Sequence, residues 1–158
     1  MRRFALLLSV LALPFAFGGT VGAAPPAVAT GTISGGSLDF SDFHLQGGNQ
    51  FVHITNAGAT ITGTFTGSLV TELDEVVHPT GNSTLQGSVV CDPCTVDGRS
   101  GTAIFRQVGT IMGDPFALEL RTISASATGG LAGLHADFDV RWNGVDPATY
   151  AGSYHFEP

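Results

Sequence analysis

The 158-residue chain has no lysine: its six basic residues are all arginine. That rules out Schiff-base and amine chemistry, which need a lysine nitrogen. Charge of either sign is scarce, at 12% of residues, and acids outnumber bases thirteen to six. An acidic chain without a basic patch is repelled by phosphate backbones and anionic lipid surfaces, so nucleic-acid binding is excluded. Cysteine is almost absent, with only Cys91 and Cys94. The five histidines (His44, His53, His78, His135 and His155) are scattered singly. A closed zinc site needs four ligands, and no second Cys-x-x-Cys supplies them, so no metal is expected. Long apolar runs are also missing. The longest, Phe4 to Phe17, has fourteen residues and contains Pro14. A membrane-spanning helix needs about 20 apolar residues, so no integral membrane segment is expected. Disorder needs low hydrophobicity and high charge, and a chain that is 43% hydrophobic has neither.

What is present begins with an export pattern. Arg2 and Arg3 precede the apolar run, and small residues follow it up to Ala27-Val28-Ala29. A basic start, a short apolar stretch and a small-residue cut site form a secretory signal peptide. Residues 1–29 are therefore expected to be removed, leaving residues 30–158 as one domain in a secreted, periplasmic or extracellular location. Cleavage after Ala23, at Val21-Gly22-Ala23, is the alternative. The cut after Ala29 is preferred because Pro25 and Pro26 then leave with the signal. The domain keeps four arginines against all thirteen acids, a formal charge of −9. Its size allows one core that buries most of the apolar surface.

Beyond residue 30 the sequence alternates with a period of two. In residues 60–69, Ile61, Gly63, Phe65, Gly67 and Leu69 share one face, and Thr60, Thr62, Thr64, Thr66 and Ser68 share the other. Ala136, Phe138, Val140 and Trp142 oppose His135, Asp137, Asp139 and Arg141 in the same way. Phe116, Leu118 and Leu120 alternate with Ala117, Glu119 and Arg121. Further strands are predicted over 37–45, 50–55, 71–77, 84–91, 102–111 and 150–156. In the first of these, a bulge near Ser41-Asp42 is needed to bring Leu38 and Phe40 into phase with Phe43 and Leu45. Turn signals fall at Gly47-Gly48-Asn49, Asn56-Ala57-Gly58, Pro79-Thr80-Gly81-Asn82, Asp97-Gly98, Gly113-Asp114-Pro115, Gly129-Gly130 and Asn143-Gly144. No capped run of helical period is seen. Glycines within the strands (Gly63, Gly67, Gly87, Gly101 and Gly152) favour tight curvature. The expected fold is all-β: a single antiparallel closed β-barrel of about eight strands.

Three segments carry a resemblance to a known family. Gly63-Thr64-Phe65-Thr66-Gly67 resembles the G-x-F-x-G strand of the allene oxide cyclase barrel-like superfamily. Gly98-Arg99-Ser100-Gly101-Thr102 and Thr128-Gly129-Gly130-Leu131-Ala132-Gly133-Leu134 are similar to segments of a bacterial family of uncharacterised proteins within it. They occur in the expected order, so the resemblance spans residues 30–156. It implies an antiparallel barrel whose interior can hold a small apolar molecule. Relatives steer the cyclisation or coupling of reactive intermediates. Ala136 and Val70 stand where that bacterial family usually has glycine. No catalytic residue of the cyclases has a counterpart to carry over, and no cofactor is implied.

The sharpest local motif is Cys91-Asp92-Pro93-Cys94. In an oxidising compartment it reads as a disulfide rather than a redox pair or half a metal site. Closing so small a ring contributes at most about 2 kcal/mol. Arg106, Glu119 and Arg121 fall on neighbouring predicted strands, so they are candidate ligand-binding residues; the alternative is an exposed cross-strand pair of little energetic worth. Glu72, Asp74 and Glu75, and likewise Asp137 and Asp139, read as solvated carboxylates. Three functions fit these features. The first is a non-enzymatic secreted barrel that binds a small apolar molecule or serves an extracellular interaction. The second is a cyclase or isomerase acting inside the barrel, and the third is a structural module with a filled core. An apolar interior cavity containing a buried polar group would separate the first two from the third.

Overall fold

The computed structural model describes residues 25–112, 117–144 and 147–157, with backbone register alone over 117–122. Eight strands follow one another: β1 (Ala27–Gln46), β2 (Asn49–Gly63), β3 (Thr66–Val77), β4 (Ser83–Val96), β5 (Arg99–Met112), β6 (Ala117–Ala127), β7 (Leu134–Trp142) and β8 (Ala148–Phe156). The only helix among the described residues is a single 3-10 turn, Gly129–Leu131. Every strand pairs antiparallel with its sequence neighbours, and β1 returns to pair with β8. β1 begins three residues ahead of the domain start at Thr30 expected from the sequence.

The single closed barrel expected from the sequence is corrected. The eight strands form a rolled antiparallel sheet that does not close evenly round an axis. The unevenness lies at the seam. β1 and β8 share seven register pairs, from Ala27↔Tyr154 to Ile33↔Ala148. Beyond Ile33, β1 runs on to Gln46 with β2 as its ladder partner. The cause is local. Gly35 and Gly36 adopt φ of +76° and +90°, and Gly58 on β2 adopts +80°. These left-handed values suit glycine, which lacks the Cβ that would clash there. They bend the β1–β2 ribbon where β8 begins, so the last strand cannot follow β1 outward.

The bulge expected near Ser41-Asp42 is present: the β1–β2 register shifts between Ser41 and His44, and Asp42 has φ of +55°. Two other expectations change. The continuous strand over 60–69 is broken at Thr64–Phe65, which form the β2–β3 turn; Gly63 at φ +109° starts it. Asn56-Ala57-Gly58 is a bulge inside β2 and not a turn. The expected turn at 113–115 lies outside the described residues. On β7 the alternation holds, with Ala136, Phe138 and Val140 buried and His135, Asp137, Asp139 and Arg141 exposed.

The interior has two unlike ends. At the end where β1 begins and β8 finishes, the β2–β3 turn places Phe65, fully buried, at the centre of an aromatic cluster. Its ring lies 5.6 to 6.2 Å from the rings of Phe105, Phe138, Tyr150 and Tyr154. Such tilted and edge-on pairs each contribute about 0.5–1.5 kcal/mol beyond area burial. The Phe65 backbone N–H donates to the Tyr150 hydroxyl at 2.9 Å, so no buried donor is stranded there. Leu131 of the 3-10 turn and the bonded pair Cys91–Cys94 are also fully buried. The disulfide, 5.1 Å between Cα atoms, sits inside a bulge of β4 and not across a free loop.

Candidate cavity site

The other end of the interior is hollow. A cavity of about 470 Å³ is walled by Ile54, Ile61, Leu69, Leu73, Val89 and Val140 from β2, β3, β4 and β7. Phe105 and Phe138 form its border with the aromatic cluster. The volume lies within the range typical of small-molecule pockets, roughly 300–1,000 Å³. The cavity opens along the seam. Ile33 and Ala148, the last β1–β8 register pair, both line it. Beyond them come Ser34, Gly35, Gly36 and Leu38 on one side and Pro147 on the other, all exposed. The bend that keeps the sheet from closing evenly is thus also the bend that leaves the cavity a mouth.

A magnitude decides how this space should be read. A sealed dry void costs about 24 cal/mol per Å³, so 470 Å³ would cost on the order of 10 kcal/mol. That equals the whole stability of an ordinary domain. The volume therefore belongs to a space that exchanges with solvent or takes a guest, in keeping with its exposed rim. Leu38 and Phe40, at the rim and on β1 beside it, are 55% and 48% exposed. They are paired in register with Asn56 and Ile54 on β2. Apolar side chains kept in water at a cavity mouth mark a contact surface more often than a packing error.

Besides Ser34 at the mouth, the lining includes the neutral polar side chains of Asn56 on β2, Thr71 on β3 and Gln107 on β5. Asn56 and Thr71 are direct register partners. The row continues through Val89 to Phe105, two residues before Gln107 on the same face. Gln107 is 4% exposed, one of two buried polar residues among those described. The Asn56 carboxamide oxygen is buried and accepts no hydrogen bond among the described residues. A buried polar atom without a partner is uncommon and calls for an explanation. A Cβ on Gly36 would collide with this carboxamide, so glycine at the bend also makes room for it.

The residues singled out from sequence fall elsewhere. Arg106 is exposed, in register with Ser88 and Ile123, and is not part of the cavity lining. Glu119 and Arg121 occupy β6 positions opposite Thr110 and Val108, and their side chains lie outside the described residues. Asp74 is exposed and accepts from His53 Nδ1 at 2.9 Å. That hydrogen bond, aided by the charges of Asp74, Glu72 and Asp42, raises the His53 pKa above its usual 6.5. No group of three or more His, Cys, Asp and Glu among the described residues is arranged to hold a metal ion. Sequence reasoning missed Gln107. Its signal was legible in the inward row of β5, Ala103, Phe105, Gln107, Gly109 and Ile111, where one polar residue interrupts an otherwise apolar or small set.

Among the described residues, no helix is long and apolar enough to cross a membrane. No protein-family model matches the chain, and no curated protein matches it. A solved structure does. The protein is similar to a Shewanella oneidensis MR-1 protein of unknown function from the DUF3224 family. The TM-score is 0.70 at 19% identity, over 85% of this chain and 100% of that one. The resemblance to an uncharacterised bacterial family is borne out at the level of the fold: this chain has a structural homologue in DUF3224, with the same β-rich, rolled architecture.

Proposed function

We propose that this protein is an exported single-domain binder of a small, largely apolar molecule held in the interior cavity. One observation carries the proposal: about 470 Å³ of apolar-walled space opens at an apolar rim instead of being filled by side chains. The filled-core alternative predicts a packed interior at both ends of the roll. Here the aromatic cluster fills one end only. Export is supported by the basic, apolar and small-residue order of residues 1–29, and the Cys91–Cys94 bond suits an oxidising compartment.

The test is a fluorescence titration with N-phenyl-1-naphthylamine, an uncharged dye that brightens in apolar surroundings. Saturable one-to-one binding is expected. Val89, 4% exposed and in the cavity wall, is the residue to enlarge. Val89→Phe fills the space from within, and the dye signal should fall at least tenfold while the circular dichroism spectrum is kept. Failure to saturate, or binding unchanged in a folded Val89→Phe protein, overturns the proposal.

A further inference from the structure

We infer that the cavity selects an uncharged molecule bearing a hydroxyl group, and discriminates against the carboxylate of the same carbon skeleton. This inference rests on the cavity-binding reading and specifies its ligand class. Among the described residues lining the space, none is charged. An ionised carboxylate entering it would leave water without gaining a cation, which is costly for any buried ion. The surrounding charge adds to the bias. The inner row carries an acid, Glu75, in register with Val52 and Leu85, and the chain is acidic overall at −7. Arginine clamps are the usual device for holding carboxylates. β5 carries two arginines, Arg99 at its start and Arg106 beside Gln107; both are exposed and neither lines the cavity.

The polar groups that do line the space are suited to an alcohol. The buried Asn56 carboxamide oxygen is an acceptor without a donor among the described residues. Thr71, its register partner, has a hydroxyl that both donates and accepts. Gln107 places a carboxamide, with donors and an acceptor, on the same wall while 4% exposed. A ligand hydroxyl can donate to Asn56 and accept from a neighbouring donor, whereas a carboxylate can only accept. An alkane leaves the Asn56 oxygen without a donor. The apolar remainder of the ligand lies along Leu73, Val89 and Val140, and Leu38 meets it at the mouth.

The experiment uses the full secreted protein with N-phenyl-1-naphthylamine bound, displaced by decan-1-ol or by decanoate at pH 7.3. If only the neutral acid enters, a carboxyl group with a pKa near 4.3 is weakened about a thousandfold at that pH. Decan-1-ol is expected to displace the dye at a concentration at least tenfold lower than decanoate, and decanoate should gain affinity as the pH falls. Gln107→Leu and the near-isosteric Thr71→Val should each weaken decan-1-ol severalfold more than they change the affinity for the dye, which is measured directly in each variant. Two variants are used so that misfolding of one does not void the test. Decanoate binding as tightly as decan-1-ol, or an alcohol that fails to displace bound dye, overturns the inference and leaves the cavity reading intact. An alcohol affinity unchanged in both folded variants also overturns it. Dye that never binds overturns the cavity reading itself.

Discussion

The contrast between a packed and a hollow end can be measured with one chemical change made at two places. Leu131 lies in the 3-10 turn at the aromatic end and is fully buried. Leu73 is 8% exposed and forms part of the cavity wall. Leu→Ala removes three carbons, a transfer loss of about 2.4 kcal/mol at roughly 0.8 kcal/mol per carbon. At Leu131 a sealed void is also created, and at about 24 cal/mol per Å³ it raises the total to about 4–5 kcal/mol. At Leu73 the removed atoms already border open space, so no new sealed void forms and the cost stays at about 2 kcal/mol or less. With a urea slope of about 2 kcal/mol/M, Leu131→Ala should lower the unfolding midpoint by about 2 M and Leu73→Ala by about 1 M. Equal shifts would mean that the interior is packed evenly, and the reasoning from cavity to ligand would fail.

Two further outcomes follow from buried tyrosines and from β1. Burial raises the Tyr150 pKa above the usual 10, and the 2.6 Å hydrogen bond to Asp97 does the same for Tyr154. Between the unfolded and folded pKa the native state keeps a proton that the unfolded chain has lost. The stability these phenols contribute is therefore fully present below about pH 10 and is lost as pH rises through the folded values. Thermal melts from pH 8 to 11.5 should show that decline, and Tyr150→Phe with Tyr154→Phe should flatten it; an undiminished slope in the double variant argues against this origin. We propose that export ends with a cut after Ala23, since one after Ala29 would remove Ala27 to Ala29, which pair with Tyr154, Ser153 and Gly152. Ala29 is itself fully buried. N-terminal mass spectrometry of secreted material should find Ala24 first, and Thr30 at the terminus would refute it.

Much of the fold was legible because a strand writes its two faces directly into alternating residues. Residues 134–142 show this: a buried and an exposed set could be read without any partner strand. The Ser41-Asp42 bulge was legible for the same reason, since two apolar runs out of phase need an extra residue between them. The stretch over 60–69 misled because turn and strand share its alternation. Only the left-handed φ of Gly63 turns the chain and carries Phe65 inside as a plug. At the site, sequence reasoning was drawn to charge and so to Arg106, whereas the polar group that enters the cavity is the neutral Gln107 beside it. Adjacent residues on a strand face opposite ways, so the choice depended on knowing which face was inner.

The sequence by itself determined an all-β chain with an export-like start, an acidic domain and a local cysteine pair. Those follow from composition and short-range pattern, which need no partner strand to be read. The tertiary structure alone decided that the sheet rolls without closing evenly and that one end is plugged by aromatic rings while the other is open. The reason is that closure and filling depend on where distant strands stop pairing. β1 and β8 part after Ile33 and Ala148, residues more than a hundred positions apart, and no local pattern records that meeting point.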